Sequence, residues 1–83
     1  MYKIEFDEKA FRTFKKLDKP TQERMGKKIE ELTNNPELGK PLTGRLAGLW
    51  SLRTGDYRAL YQIRRNELLV LVLKIKHRKD AYK

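Results

Sequence analysis

The sequence predicts an α+β fold in the order β-α-α-β-β-β, and three observations predict it. The chain opens on a short segment in which apolar and charged residues alternate, as in a half-buried strand. Two segments follow in which apolar residues recur three and four positions apart, as on amphipathic helices. From residue 49 onward the period returns to two. With 83 residues and no Gly/Ser-rich linker, we expect one domain over residues 1–83: an N-terminal strand, an antiparallel helical hairpin and a three-stranded antiparallel meander.

The first strand and the first helix are predicted within residues 2–17. Tyr2, Ile4 and Phe6 alternate with charged residues. Asp7 is a favourable N-cap because its carboxylate can accept hydrogen bonds from the unpaired N–H groups of the first helical turn. The apolar residues that follow at helical spacing, and that we expect to face the core, are Ala10, Phe11, Phe14 and Leu17.

The second helix is predicted to begin after Asp18. Pro20 falls in its first turn, where the missing N–H of proline costs nothing. Its apolar stripe has the spacing i, i+4, i+7 and consists of Met25, Ile29 and Leu32. The segment 34–36, Asn-Asn-Pro, ends the helix. Because only one or two residues separate the two helices, we expect them to form an antiparallel hairpin.

The second half of the chain is predicted to be a loop followed by strands. Residues 36–48 hold two of the three prolines and three of the five glycines, which is typical of a loop. Strands at 49–53 and 57–63 are joined by a turn at 54–56, Thr-Gly-Asp.

The last strand is predicted at 67–75, after a turn at 64–66. It is apolar at six successive positions, which predicts a central strand covered on both faces. Because the helical hairpin covers only one face of the sheet, we expect a basic cleft on the opposite face.

The composition narrows the classes of function. Without cysteine there is no thiolate nucleophile, disulfide framework or cysteine-based metal site, and a single histidine argues against a transition-metal site. The formal net charge is +9, and residues 37–83 carry eleven Lys/Arg against four Asp/Glu. This excess predicts a polyanionic partner: nucleic acid first, an acidic membrane or protein second.

No targeting segment is predicted. Charges interrupt the first seven residues, and the longest apolar run, 68–73, is far shorter than the ~20 residues of a membrane-spanning helix. We therefore expect a cytoplasmic protein without membrane attachment.

The candidate binding residues are basic side chains of the second half, although most basic residues of the chain are expected on solvated faces. The exceptions are Arg53 and Arg58, which flank the predicted turn, and the segment 74–83, which contains His77 and Tyr82. Arginine binds phosphate with paired N–H groups and tyrosine stacks on unpaired bases, so this set favours RNA over duplex DNA. The chain lacks the acidic cluster typical of a Mg²⁺-dependent nuclease. RNA brings its own nucleophile, the 2′-OH, so a metal-free cleavage needs cations that stabilise the charge on the phosphorane and groups that take and give a proton.

Two segments resemble the signature of the RelE/ParE superfamily of toxins. Residues 45–63 include the stretch G-D-Y-R-A-L-Y, and residues 76–82 read K-H-R-K-D-A-Y after a hydrophobic strand. The resemblance implies a RelE-like microbial RNase-type fold and a toxin of a type II toxin–antitoxin system, closest to the RelE-like mRNA interferases. Such toxins enter the ribosomal A site and cut mRNA by 2′-OH attack without a metal or other cofactor. They are neutralised by a cognate RelB-like antitoxin.

The resemblance also implies roles for individual residues. Arg58 matches an arginine that stabilises the phosphate. Arg78 matches a basic residue that stabilises the phosphate or protonates the leaving 5′ oxygen, and Tyr82 matches a tyrosine that stacks on a substrate base. Arg53 and Ser51 stand where RelE proper has catalytic lysines, which is a departure from the family pattern.

That departure leaves the proton carrier open. A guanidinium stays protonated, so Arg53 can act electrostatically but hardly as a base. His77 is the candidate proton carrier, because imidazole exchanges protons near neutral pH. The alternative is that His77 is only a solvent-exposed residue beside Arg78. The other predicted RNA contacts are Ser51, Lys74, Lys76 and Lys79. Two alternatives stay open: a ParE-like inhibitor of DNA gyrase, and a degenerate relative that binds RNA or its antitoxin without cleaving.

Overall fold

The computed structural model describes residues 1–80, which form two α-helices and one five-stranded sheet. In chain order the elements are β1 (Lys3–Phe6), α1 (Glu8–Lys16), α2 (Lys19–Glu31), β2 (Lys40–Pro41), β3 (Trp50–Thr54), β4 (Tyr57–Arg64) and β5 (Leu69–His77). Short 3₁₀ turns lie at Pro36–Leu38, Gly44–Leu46, Arg65–Glu67 and Arg78–Asp80. The sheet order is β1-β5-β4-β3-β2, with β1 parallel to β5 and the other neighbours antiparallel. The predicted α+β class is confirmed, and β2 is an additional strand within the segment that we predicted to be a loop.

Both helices begin where the sequence predicts. Asp7 accepts a hydrogen bond from the Lys9 N–H at 3.1 Å, and Asp18 accepts one from the Thr21 N–H at 3.2 Å. The hydrogen bonds from Thr21 lower the pKa of Asp18, because they favour its charged form. Within residues 1–80, neither helix is long and apolar enough to cross a membrane.

One face of the sheet is apolar and packs against the helices. Pairing aligns Leu52 with Ala59 and Ala59 with Ile75, and all three are buried on this face. The buried cluster that joins the sheet to α1 and α2 consists of Ala10, Met25, Ile29, Leu32, Leu52, Ala59, Tyr61, Val70, Val72 and Ile75. The predicted stripe of the second helix therefore forms the centre of the core.

The prediction for Phe11 is wrong, because this side chain does not face the core. Phe11 is 47% exposed and meets Phe6 edge-on, with ring centroids 5.7 Å apart. Ala10 and Phe14, four residues apart, are the positions of α1 that pack against the sheet cluster. Phe11 lies to the side of that stripe, next to the edge strand β1.

An irregularity in β5 decides which side chains lie on which face. Leu60 pairs with Lys74, but the next residue, Tyr61, pairs with Val72, so Leu73 is an extra residue in the ladder. Because side chains alternate along a strand, this insertion keeps Ile75 on the helix-covered face together with Val72. It also directs Lys74 and Lys76 to the opposite face.

The face opposite the helices is the one on which we expected a basic cleft. Arg53 pairs with Arg58, and Arg58 pairs with Lys76, so three cationic side chains cross β3, β4 and β5 in one row. Ser51 pairs with Leu60 in the row beside it. The row of cations follows from register, which sets residues of three strands side by side.

β5 lies between β1 and β4, as its continuous apolar run predicts. Its predicted bounds, 67–75, are two residues too early at each end. Leu68 adopts a left-handed conformation with φ of 51°, which ends the Arg65–Glu67 turn, so the strand begins only at Leu69 and continues to His77.

Thr54 offers a test of the packing at the end of β3. Its side chain is buried, and its hydroxyl has no hydrogen-bond partner in the part of the chain that the structure describes. We expect Thr54→Val to raise the free energy of unfolding by about 1 kcal/mol, because it replaces an unpaired buried hydroxyl by a methyl group of similar shape. Urea unfolding measures this, with Thr33→Val as the control. The Thr33 hydroxyl donates to the Glu30 carbonyl at 2.9 Å, so that variant should lose stability. A loss of stability in Thr54→Val would contradict the assignment.

Candidate functional site

Three arginines line one cavity beside the turn between β3 and β4. The cavity has a volume of about 300 Å³, and its walls are Arg53, Gly55, Asp56, Arg58 and Arg78. Arg53 and Arg58 face each other because the hairpin pairs them, and the turn closes through Gly55, whose φ is +58°. Arg78 enters from the end of β5. The structure thus brings together three of the predicted site residues.

Asp56 holds the segment that carries Arg78. The Arg78 backbone N–H donates to the Asp56 carbonyl at 2.6 Å, and the Arg78 Nη1 lies 3.9 Å from the Asp56 Oδ1. Both side chains are about two-thirds exposed, so this ion pair adds little to stability. Its consequence is geometric: the guanidinium of Arg78 is kept beside the turn.

His77 does not line the arginine cavity. Its partner in the sheet is Tyr57, one residue before Arg58. Because side chains alternate along a strand, the His77 side chain extends from the face of the sheet opposite to that of Arg58. The imidazole packs edge-on against the Tyr57 ring, with centroids 5.0 Å apart, and its Nδ1 accepts the Lys79 N–H at 3.1 Å. A neutral ring in this arrangement carries its proton on Nε2.

A second, larger cavity adjoins the first and shares Arg53 and Arg58 with it. Its volume is about 430 Å³. Its other lining residues come from α2, from the segment around β2 and from β3: Lys28, Glu31, Leu38, Gly39, Lys40, Leu42, Ser51 and Leu52. Among these, Ser51 is the one that the sequence analysis placed in the site.

Lys28 is the functional candidate that the sequence analysis missed. Its Nζ donates to the Arg53 carbonyl at 3.1 Å. β2 pairs with β3 at Trp50 and Ser51, so within residues 1–80 the outer edge of β3 has no strand partner at Arg53, and the lysine occupies that position. The only sequence signal is that Lys28 precedes Ile29 of the apolar stripe, which gives no indication of β3.

The remaining predicted RNA contacts lie in different places. Lys76 lies beside Arg58 in the sheet. Lys74 and Lys76 also line a third cavity of about 340 Å³, whose apolar floor includes Leu60. Lys79 is exposed in the turn after β5. Tyr82 lies outside the described residues.

Tyr61 fixes the wall of the larger cavity. It is fully buried, its hydroxyl donates to the Pro36 carbonyl at 2.7 Å, and it accepts the Gly39 N–H at 3.0 Å. Burial raises the pKa of this phenol. Gly39 is required here, since a Cβ would lie 2.6 Å from the Ser51 carbonyl oxygen. The segment leading into β2 is therefore clamped onto the sheet.

Taken together, the two cavities form a cationic groove that suits a phosphodiester. Guanidinium groups offer paired N–H donors to phosphate oxygens and stay charged, so they can stabilise negative charge but not carry protons. Each cavity has a single carboxylate in its lining, Asp56 in the smaller and Glu31 in the larger. Across residues 1–80, no group of three or more histidine, aspartate or glutamate side chains comes close enough to hold a metal ion.

Comparison with known proteins gives consistent results. Residues 4–82 match the family described as the ParE toxin of the type II toxin–antitoxin system, parDE. The toxin RelG of Mycobacterium tuberculosis is 43% identical over 54 residues, covering 64% of this chain but only 62% of RelG, less than two thirds of that relative. The mRNA interferase toxin RelE of Escherichia coli K12 is 28% identical over 88 residues, covering 98% of this chain and 90% of RelE.

Solved structures are similar over most of the chain. The toxin–antitoxin complex RelBE2 of Mycobacterium tuberculosis has a TM-score of 0.83 at 33% identity, covering 92% of this chain and 96% of the matched one. The intact Escherichia coli RelBE toxin–antitoxin complex has a TM-score of 0.80 at 25% identity, covering 93% and 96%.

Proposed function

This chain belongs to the ParE toxin family of type II toxin–antitoxin systems, within the RelE/ParE superfamily, and from that premise we propose that it is an mRNA interferase. In this proposal the protein enters the A site of a translating ribosome in the cytoplasm and cleaves the mRNA there. The observation that carries the proposal is the convergence of Arg53, Arg58 and Arg78 on one cavity.

The proposed reaction uses the nucleophile that RNA supplies. The 2′ oxygen forms a bond to the phosphorus, the bond from phosphorus to the 5′ oxygen breaks, and the products are a 2′,3′-cyclic phosphate and a 5′-OH. The charge that develops on the phosphoryl oxygens is stabilised by Arg53 and Arg58, and Arg78 stabilises the phosphate from the leaving-group side. Tyr82 stacks on a substrate base in this scheme. The reaction needs no cofactor.

Two protons must move, one from the 2′-OH and one to the 5′ oxygen. Arg53 and Ser51 replace the lysines of RelE proper, and a guanidinium is a poor proton carrier. His77 is the proposed proton carrier, and it exchanges protons with the substrate through water, because its side chain extends from the face of the sheet opposite the arginine row. Protonation of the departing 5′ oxygen requires the imidazolium form of this side chain, because a neutral imidazole is far too weak an acid to give up its remaining proton.

The proposed partner is a cognate RelB-like antitoxin. The matched structures from Mycobacterium tuberculosis and Escherichia coli are complexes of a toxin with its antitoxin. On this chain an acidic antitoxin segment would cover the helix-free face, where Arg53, Arg58 and Lys76 form a row of positive charge. Binding there would exclude RNA from the arginine cavity.

A reconstituted translation system tests the proposed activity. Purified protein should cut a reporter mRNA while ribosomes translate it, at positions within codons, and should leave the same mRNA intact when ribosomes are omitted. Primer extension maps the cuts. Uncut mRNA on translating ribosomes would contradict the proposal.

A second candidate function is inhibition of DNA gyrase, which the match to the ParE family model favours. The two functions predict different cellular effects. Loss of plasmid supercoiling with intact mRNA would support gyrase inhibition, whereas mRNA cleavage with normal supercoiling would support the interferase.

Asp56→Asn separates RNA binding from cleavage. The variant should bind RNA more tightly, because a negative charge leaves a cationic cavity, yet its kcat should fall about tenfold, because Arg78 loses the group that orients it. Single-turnover cleavage and RNA titration measure the two effects. Glu67→Gln is the matched control, since Glu67 lies 3.7 Å from Arg64 in another exposed pair outside both cavities. A fall in kcat with weaker binding would contradict the proposed role.

A further inference from the structure

The larger cavity is placed to hold RNA beyond the bond that is cut. It shares Arg53 and Arg58 with the smaller cavity, so an RNA strand whose phosphate lies between these arginines can continue directly into it. Its volume of about 430 Å³ falls within the range of small-ligand sites. The two cavities thus describe one path along β3.

Lys28 is held at the wall of this cavity in a form ready to bind an anion. Its amine has three N–H donors, and one of them is used by the Arg53 carbonyl at 3.1 Å. Within the part of the chain that the structure describes, two donors therefore remain, and the hydrogen bond limits the side-chain freedom that ligand binding would otherwise cost. Lys27, its neighbour on α2, is exposed and does not line the cavity.

The other walls match the parts of a nucleotide. Lys40 adds a second ammonium group, whereas Leu38 and Leu42 provide apolar surface for a sugar or the face of a base. Glu31 is the one carboxylate, and it lowers the positive potential of the site. A site of this composition should therefore respond in opposite directions when a cation or the carboxylate is neutralised.

We propose that the larger cavity is a subsite for the nucleotide next to the scissile phosphate, and that Lys28 binds the phosphate of that nucleotide. This inference rests on the proposed function for the identity of its ligand. It assigns a substrate-binding role to α2, an element that the three-arginine cavity does not use.

Binding of a short, non-cleavable RNA tests the subsite without requiring cleavage. The probe is a fluorescent 2′-O-methyl RNA hexanucleotide, titrated with the full-length protein over a range of salt concentrations. Lys28→Met should raise Kd roughly fivefold and reduce the slope of log K against log salt by about 0.7, the value for one phosphate contact to a single strand. Lys28→Arg should keep the slope, and Glu31→Gln should lower Kd.

The control variant is Lys27→Met, which removes the same charge from the same helix one residue away. Equal Kd values and slopes for Lys27→Met and Lys28→Met would overturn the inference, as would weaker binding by Glu31→Gln. Thermal unfolding of each variant identifies a loss of fold, in which case Lys28→Arg and Glu31→Gln carry the test.

The outcomes for the subsite and for the function can be told apart. If the wild type binds the probe and Lys28→Met weakens it, but translating ribosomes leave mRNA uncut, the proposed function fails and the anion subsite stands. If the wild type cleaves mRNA and Lys28→Met behaves as Lys27→Met does, the subsite is wrong and the function stands.

Discussion

Arg58→Ala is expected to lower the rate of mRNA cleavage by about 10²–10³-fold, the usual loss when one preorganised donor to a developing oxyanion is removed. Arg58 lies in the middle of the sheet, half-buried, between Arg53 on β3 and Lys76 on β5, and its side chain lines both cavities. Its position is therefore fixed by the pairing on each side. Single-turnover cleavage on programmed ribosomes measures the loss.

The matched control is Arg64→Ala at the far end of the same strand. Arg64 is exposed and its guanidinium pairs with Glu67, so this variant loses the same charge without touching either cavity. It should cleave within about twofold of the wild type. If Arg58→Ala and Arg64→Ala cleave equally well, the arginine cavity is not the site of the reaction.

Tyr61→Ala is expected to lower the free energy of unfolding by about 3–5 kcal/mol, as truncation of a large buried ring does. Tyr61 is fully buried at the centre of the sheet and stacks near Trp50, with ring centroids 6.3 Å apart. A domain of this length has a stability of roughly 4–12 kcal/mol. The variant should therefore be substantially less stable in urea unfolding.

Tyr61→Phe isolates the hydroxyl from the ring. It leaves the Pro36 carbonyl and the Gly39 N–H without their partner, so we expect a loss of about 1–3 kcal/mol. Tyr57→Phe is the control, because the Tyr57 hydroxyl makes no hydrogen bond within residues 1–80. Equal stability of Tyr61→Phe and the wild type would show that the clamp on the segment before β2 does not stabilise the fold.

The pH dependence of the free energy of unfolding gives an independent test of the burial of the Tyr61 hydroxyl. The pKa of Tyr61 is raised above its ordinary value of 10.0 by burial. The folded state therefore holds the phenolic proton more tightly than the unfolded chain does. The stabilisation that this shift gives the folded state is complete below about pH 10 and is lost as the pH rises beyond it. Because phenylalanine has no ionisable hydroxyl, this loss of stability at high pH should be absent in Tyr61→Phe.

The parts of the fold that depend on local chemistry were predictable from the sequence. Asp7 and Asp18 cap their helices through hydrogen bonds within three residues, so the signal and the structure lie in the same short segment. The β3–β4 hairpin is similar, because a turn through Gly55 joins two strands of period two. These elements need no information from distant residues.

The missed parts of the fold depend on pairing between distant segments. β2 has two residues, Lys40 and Pro41, and is defined only by backbone pairing with β3, which leaves no periodic pattern. The extra residue Leu73 lies within a continuous apolar run, where an alternation of faces has no visible signal. Regular alternation would place Lys74 and Lys76 on the same face as Val72, so their actual face could not be assigned without knowledge of the insertion.

The same distinction applies to the site. Arg53 and Arg58 belong to one hairpin, so their proximity follows from a short stretch of sequence. Arg78 joins them only because β5 extends to His77, and Lys28 reaches β3 only because of how α2 packs. The roles of these residues in cleavage stay predictions until kinetic data test them.

The chemistry of the ends of the cleaved mRNA tests the proposed function most directly. Attack by the 2′-OH, assisted by Arg53, Arg58 and Arg78, predicts a 2′,3′-cyclic phosphate on the upstream fragment and a 5′-OH on the downstream one. Mass spectrometry of fragments released from programmed ribosomes identifies both ends. Fragments that carry a 3′-OH and a 5′-phosphate would require attack by water on the phosphate and would contradict the account.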